Sequence, residues 1–378
     1  MMTDPLPPQS SKSARSSPAN SGGEDGSVGK GETGLVSVII PVYNRPVLLR
    51  RALNSVVKQS YEPIEAVVVD DGSTDETPRV VHRMSASEPI CIRHIRQPHR
   101  GVVAATRNRG LRESRGEYIQ FLDSDDFLGS TKIDLQVRAL RRQPELDFAW
   151  CATLFAGATR SRGVSFSWMG REDLLAHFVR RPLWQTGAPL YRRSTCERVG
   201  PWNEDLNLAE DWEYGVRLLA GDPESRRVSG ARTYYVLHSS GHVSAEWTRQ
   251  NAVGEYLKVT RAGEDALRTS GRLQEANVRA GLAIRYVEGA CWAAAQKDIS
   301  TCETALEKAS ELSPNRTDNW RPILLRSLSS ALGPERAARL WLHALGRYRQ
   351  FDRLLRLIWF GRSPAFPRQD DPPPRAQS

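Results

Sequence analysis

Apolar and polar positions divide this chain into two regimes. In the first, short apolar runs of strand length alternate with amphipathic stretches of helical period. Leu35–Pro41 and Ala66–Asp70 are nearly continuous apolar runs, Ile90–Arg96 alternates, and Tyr118–Leu122 is a fourth strand. Helical periodicity fills Val47–Gln59, Thr77–Ser85, Val102–Ser114 and Lys132–Arg142. Mostly apolar strands separated by helices of about 10–15 residues predict βαβ units, with a parallel sheet covered on both faces. The second regime begins at Ala252 and is helical: Val253–Leu267, Leu273–Ala294, Ser300–Leu312, Trp320–Leu332 and Glu335–Ile358. Within it, Asp298–Pro314 faintly resembles the second helix of a tetratricopeptide unit, but as one copy without a repeat. The expected fold class is α/β with a mainly parallel central sheet, followed by a C-terminal α-helical appendage.

The ends read differently. Met1–Thr33 is mostly Ser, Gly, Pro and charged residues without an apolar stretch, the pattern of a disordered leader rather than a signal peptide. The proline-rich stretch from Ser363 to Ser378 is expected to be a loose tail. These readings divide the chain into a leader (1–33), an α/β domain (34–250), a helical region (251–362) and a tail (363–378). No run approaches the ~18 apolar residues of a membrane-spanning helix. Five scattered cysteines without a CxxC pair read as reduced core residues, which places the expected compartment in the cytosol.

In an open parallel sheet, ligands bind outside the carboxyl ends of the strands, and polar clusters stand there. The first strand ends in Pro41-Val-Tyr43-Asn44, the second in Asp70-Asp71-Gly-Ser-Thr-Asp75 and the fourth in Asp123-Ser-Asp125-Asp126. Two carboxylates at i and i+2 on a strand end suit Mn²⁺ or Mg²⁺, which take hard oxygen ligands and keep sites for substrate phosphates. An acidic turn or helix cap explains the same residues more plainly. Gly72 permits a tight βα turn beside Asp71, whose carboxylate could read a base or ribose, while Ser73 or Thr74 could simply cap the helix. Arg107, with Asn108 and Gly110, offers a cation for phosphate or base on the third helix, where a solvated Arg is the common case. Glu210-Asp211-Trp212-Glu213 precedes an amphipathic helix, Tyr214–Ala220, and supplies either a general base or a capping pair. His238 and His242 follow a strand at Tyr234–Leu237, with His238 the candidate metal ligand.

Taken in order, Val38-Ile-Ile-Pro-Val-Tyr-Asn44, Val67-Val-Val-Asp-Asp-Gly-Ser-Thr-Asp75, Gly101 through Arg107-Asn-Arg-Gly110, Gly116 through Asp126, and Val199-Gly-Pro-Trp202 leading to Glu210-Asp211-Trp212 resemble an inverting family 2 glycosyltransferase of the GT-A fold. The resemblance covers roughly Val36 to Trp247 and implies a mixed, mainly parallel sheet. It implies that Pro41 and Tyr43 line the nucleotide pocket, Asp71 contacts the nucleobase and Arg107 helps hold the nucleotide. It further implies that Asp123 faces the ribose, that Asp125 and His238 bind Mn²⁺ or Mg²⁺ on the donor diphosphate, and that Asp211 deprotonates the acceptor hydroxyl. The implied partners are a nucleotide-sugar donor, with UDP the expected nucleotide, and a glycan or lipid-linked acceptor. Two departures stand out: Phe127-Leu-Gly-Ser-Thr131 replaces the proline the family often has after the acidic cluster, and His242 competes with His238. A non-catalytic GT-A-like scaffold binding a membrane or protein is the alternative, and the intact Asp125 and Asp211 argue against it.

Charge refines the picture. Lys and Arg total 53 against 44 Asp and Glu, a formal net charge of +9, which suggests a polyanionic partner. Between Arg316 and Arg362, however, ten arginines face three acidic residues (Asp318, Glu335 and Asp352), so that +7 of the excess lies in one helical stretch. Trp341, Leu345, Tyr348, Leu355 and Trp359 recur there at helical spacing while Arg349, Arg353 and Arg356 gather elsewhere on the helix. That pattern fits an anchor on an anionic membrane surface at the inner face of the cytoplasmic membrane, and it fits equally a helix packed on the catalytic domain. No nucleic-acid partner is expected, because no recognisable module accompanies the basic residues.

Overall fold

A computed structural model describes residues 31–156, 162–163, 174–236 and 252–312. His238, His242, the leader to residue 30 and the Arg-rich stretch 316–362 lie outside the described residues.

The apolar runs form the expected strands. They are β1 (Glu32–Val42), β2 (Ile64–Asp70), β3 (Cys91–Arg96) and β4 (Gly116–Phe121), separated by α1 (Pro46–Val57), α2 (Thr77–Ser87) and α3 (Val103–Glu113). Every residue of β2 is buried, as a strand covered on both faces requires. Alternate β1 residues feed two cores: Val38 and Ile40 pack with α1, α2 and α4 (Lys132–Arg142), while Ile39 packs on the side of α3. Gly110 lets α3 sit directly on β1, since a Cβ there would lie 2.3 Å from Ile39 Cγ2.

Six further elements come next: β5 (Phe127–Leu128), β6 (Phe148–Ala156), β7 (Arg162–Gly163), α5 (Leu174–Arg180), β8 (Leu190–Arg192) and α6 (Arg193–Val199). They are followed by α7 (Glu210–Ala220) and β9 (Ser225–Val236). The sheet order is β3-β2-β1-β4-β8-β6-β9-β5, with β7 on β6. β1 is parallel to β2 and β4, β2 to β3, and β6 to β9, whereas β8, β5 and β7 pair antiparallel. The sheet is thus mixed and mainly parallel, as expected. The short antiparallel strand β8 inserted between β4 and β6 carries the sheet onward past the first four strands.

Helices α8 (Ala252–Thr269), α9 (Ala276–Ala295) and α10 (Ile299–Leu312) follow. They do not hang free: α9 packs on α5, α8 packs on α7, and their apolar faces join the core that holds Ile39, Phe121 and Trp212. Gly263 of α8 touches the Trp212 ring so closely that a Cβ would lie 2.5 Å from Cη2. All five cysteines are unpaired; four are buried, but Cys91 is exposed at the start of the edge strand β3, which corrects the expectation of five core residues. No helix of the described residues is long and apolar enough to cross a membrane.

Candidate functional site

Because β2, β1 and β4 are adjacent and parallel, their carboxyl ends bring Asp71, Pro41, Tyr43 and the Asp123–Asp126 turn to one edge of the sheet. Backbone hydrogen bonds fix these ends: Asp71 N–H donates to Val42 O (2.9 Å) and Leu122 N–H donates to Ile39 O (3.0 Å). Pro41 is buried at the end of β1, and Tyr43 lies beyond it, 39% exposed, with its ring stacked on His99 at 3.9 Å between centroids.

Asp71 is buried and its carboxylate organises the loop after β3. It accepts from Gln97 Nε2 (2.8 Å), the Arg100 backbone N–H (3.1 Å) and the Gly101 backbone N–H (2.9 Å), and it pairs with His99 Nδ1 (2.9 Å). Gly72 takes a left-handed φ of 80° beneath this loop, where a Cβ would meet the His99 backbone nitrogen at 2.8 Å.

At the other side, Arg107 forms the keystone. Its Nη2 donates to Asp123 Oδ1 and its Nη1 to Glu210 Oε1, each at 2.7 Å, and its guanidinium lies 4.5 Å from the Trp202 ring centroid. Burial alone would lower its pKa, but Asp123 and Glu210 outweigh that and raise it. The arginine therefore joins the end of β4 to the start of α7, and its own bond to Glu210 spans 103 residues of sequence. Asn108 clamps the neighbouring loop, donating to Trp202 O (2.9 Å) and accepting from Trp202 N–H (2.8 Å).

Helix α7 begins at Glu210 rather than after the acidic run, so Glu210, Asp211 and Glu213 all lie in its first turn. Ala209 precedes it in a left-handed conformation, φ 51°, a strained state for alanine that persists where surrounding contacts over-determine it. Burial, then the Glu210 charge, push the Asp211 carboxyl up to about 7 against the opposing pull of Arg107. Such a group can exchange a proton near neutral pH. Burial also raises Asp123, with Asp125 adding to it, and raises Asp126 well above the usual carboxylate range.

Asp125 is held by two arginines from the α1 side: Arg45 Nη1 pairs with its Oδ2 at 2.5 Å, and Arg51 Nη2 donates to its backbone oxygen. Asp126 Oδ1 accepts from Val236 N–H (3.0 Å), tying the acidic turn to the end of β9. Among the described residues no group of three or more His, Cys, Asp or Glu is arranged to hold a metal. Mg²⁺ and Mn²⁺ commonly use only one or two carboxylates and complete their shell with substrate phosphates and water, so the donor set at Asp125 still fits such an ion.

The structure thus brings Pro41, Tyr43 and Asp71 to one part of the edge, and Arg107, Asp123, Asp125 and Asp211 to another. Sequence reasoning missed Arg45, Arg51 and the bridging role of Glu210, and gave Asp126 no part beyond its place in the strand-end cluster. Adjacency to Tyr43-Asn44 could have flagged Arg45, and adjacency to Asp211 could have flagged Glu210.

The chain is similar to known proteins over this same region. A family model described as glycosyl transferase family 2 matches residues 37–189. An uncharacterized glycosyltransferase of Haemophilus influenzae is 38% identical over 103 residues, covering 27% of this chain but 41% of that protein. The uncharacterized glycosyltransferase EpsJ of Bacillus subtilis is 30% identical over 236 residues, 59% of this chain and 67% of that one. An Escherichia coli UDP-Glc:alpha-D-GlcNAc-diphosphoundecaprenol beta-1,3-glucosyltransferase, WfaP, is 28% identical over 171 residues, 37% of this chain and 67% of its own. Among solved structures, S. aureus TarS 1-349 in complex with UDP-GlcNAc shares the fold with a TM-score of 0.62 at 21% identity, over 83% of this chain and 91% of that one. With its strand-end carboxylates, its mixed sheet and these relatives, the chain belongs to glycosyltransferase family 2 and has the GT-A fold.

Proposed function

We propose that the protein transfers a sugar from a nucleoside diphosphate donor, a UDP-sugar first among candidates, to a hydroxyl acceptor with inversion at the anomeric carbon. The observation that carries this reading is the Asp211 carboxyl, raised to about 7 at the start of α7 and tied through Glu210 and Arg107 to Asp123 at the strand ends. In this reading Tyr43 and Asp71 receive the nucleobase, Pro41 lines its pocket, and Asp123 faces the ribose. Both terminal nitrogens of Arg107 are already engaged, so its part is to hold Asp123 and Glu210 in register rather than to grip phosphate.

Asp211 takes the proton of the acceptor hydroxyl as that oxygen bonds to the anomeric carbon. The bond from that carbon to the diphosphate oxygen breaks on the opposite face, and the nucleoside diphosphate leaves with the electron pair. Asp125, with His238 beyond the described residues, would hold Mn²⁺ or Mg²⁺. Such an ion would neutralise charge on the departing diphosphate.

A lipid-linked or glycan acceptor is supported by the name of WfaP, whose substrate is a sugar on diphosphoundecaprenol. The Arg-rich segment 316–362 would then bring residues 34–250, the catalytic part, to an anionic membrane surface. Incubating the full chain with a panel of nucleotide sugars and Mn²⁺ tests the donor assignment. Release of the nucleoside diphosphate from one of them supports it, and silence across the panel contradicts it.

A further inference from the structure

Three arginines stand around the acidic turn at the end of β4, and they differ in what they can do. Arg107 is enclosed, with both ends of its guanidinium engaged and a side chain 3% exposed. Arg51 is held to the Asp125 backbone, lies over the Phe127 ring, and has a buried Nε without a hydrogen-bond partner. Arg45 combines contact with the Asp125 carboxylate and access to solvent, its side chain being 25% exposed.

The chain around Arg45 is built to place it. Asn44 sits in a left-handed conformation, φ 50°. Its N–H donates to Ser73 Oγ (2.9 Å), and its Oδ1 accepts from Thr74 N–H (2.9 Å). The Arg45 backbone N–H donates to Thr77 Oγ1 (3.0 Å). A strained turn stitched at three points to the β2–α2 connection thus aims a guanidinium at the carboxylate where a divalent ion and the donor diphosphate would meet.

We propose that Arg45 is a diphosphate-binding residue that exchanges partners: it neutralises Asp125 in the free protein and moves to the phosphate oxygens when Asp125 turns to a divalent ion. This rests on the donor-site reading above. The exchange follows from charge. A guanidinium at 2.5 Å from Asp125 repels a second cation arriving on the same carboxylate, and a released guanidinium beside a diphosphate matches it with charge-assisted hydrogen bonds. Arg45 therefore opposes the ion when it binds alone and assists the nucleotide when both are present.

The test uses the full-length protein with two variants, Arg45→Met and Arg45→Lys, and two readouts. Mn²⁺ binding without nucleotide is followed by electron paramagnetic resonance, and UDP binding at saturating Mn²⁺ by calorimetry. Arg45→Met should bind Mn²⁺ alone several-fold more tightly yet bind UDP·Mn²⁺ roughly 10-fold or more weakly, the loss expected for a charged hydrogen bond. Arg45→Lys should fall between wild type and Arg45→Met on both readouts. A merely structural arginine would weaken both together, and that result overturns the proposal, as does Mn²⁺ binding unchanged in Arg45→Met. If wild type binds no UDP with Mn²⁺, the donor-site reading itself fails and this proposal goes with it. Normal wild-type binding with unaltered variants removes this proposal alone.

Discussion

Replacing Glu210 by Gln keeps the shape of the α7 start while deleting one charge. Glu210 is the charge that does most, after burial, to raise the Asp211 carboxyl to about 7. Two carboxylates at a separation of about 6 Å repel by about 3 kcal/mol at an effective dielectric of about 20. Arg107 lies 2.7 Å from Glu210 and cancels part of that repulsion, leaving about 1.4 kcal/mol, or about one pH unit. Gln can still accept from Arg107, so the bridge to Asp123 should survive. Asp211 must be ionised to take a proton, so wild-type kcat/KM should rise with pH through about 7 and then level off. In Glu210→Gln the rising limb should move to about pH 6, with a several-fold lower plateau because the base is weaker. The assay is nucleoside diphosphate release across pH 5 to 9 for both proteins. A limb that stays in place, or moves to higher pH, refutes the assignment of that limb to Asp211 under the influence of Glu210.

Arg107→Met should behave quite differently, stranding Asp123 and Glu210 without their shared partner and costing about 3–5 kcal/mol of stability, measurable by urea denaturation. Asp211→Asn should stabilise the protein at pH 8. The folded carboxyl titrates at about 7, above its unfolded value of about 4, so its burden sets in as pH rises through about 4 and is complete above about 7. Allowing for its partial exposure, the gain should be about 1–3 kcal/mol, and the difference in thermal midpoint should vanish toward pH 4. Gly263→Ala would drive a Cβ to 2.5 Å from the Trp212 ring, next to Asp211. It should cost about 1–3 kcal/mol and lower kcat more than it raises the donor KM, showing that α8 buttresses the site.

Strands β1 to β4 and helices α1 to α4 were legible because each is a continuous apolar, alternating or clearly amphipathic run, and a strand buried on both faces announces itself; the two-residue β5 is too short to show such a pattern. The segment from Phe148 to Val199 was not read, because its pattern changes within one element: β6 is fully buried over its first four residues and then alternates with half-buried ones, and β8 has only three residues. The convergence of Asp71, Asp123 and Asp125 followed from topology alone. The pairings that hold the site did not, since Arg107 to Glu210 spans 103 residues and Arg45 to Asp125 spans 80. Nothing in the residue type of Ala209 signals a left-handed turn, so the start of α7 at Glu210 could only be seen in three dimensions.

The central claim is that Asp211 is the base of a sugar transfer from a nucleoside diphosphate donor. The most direct measurement compares wild type with Asp211→Asn on the donor that the panel identifies, following donor binding by calorimetry and transfer to a hydroxyl acceptor by product mass. Asp211→Asn should bind the donor as wild type does and transfer no sugar, whereas turnover equal to wild type would contradict the account.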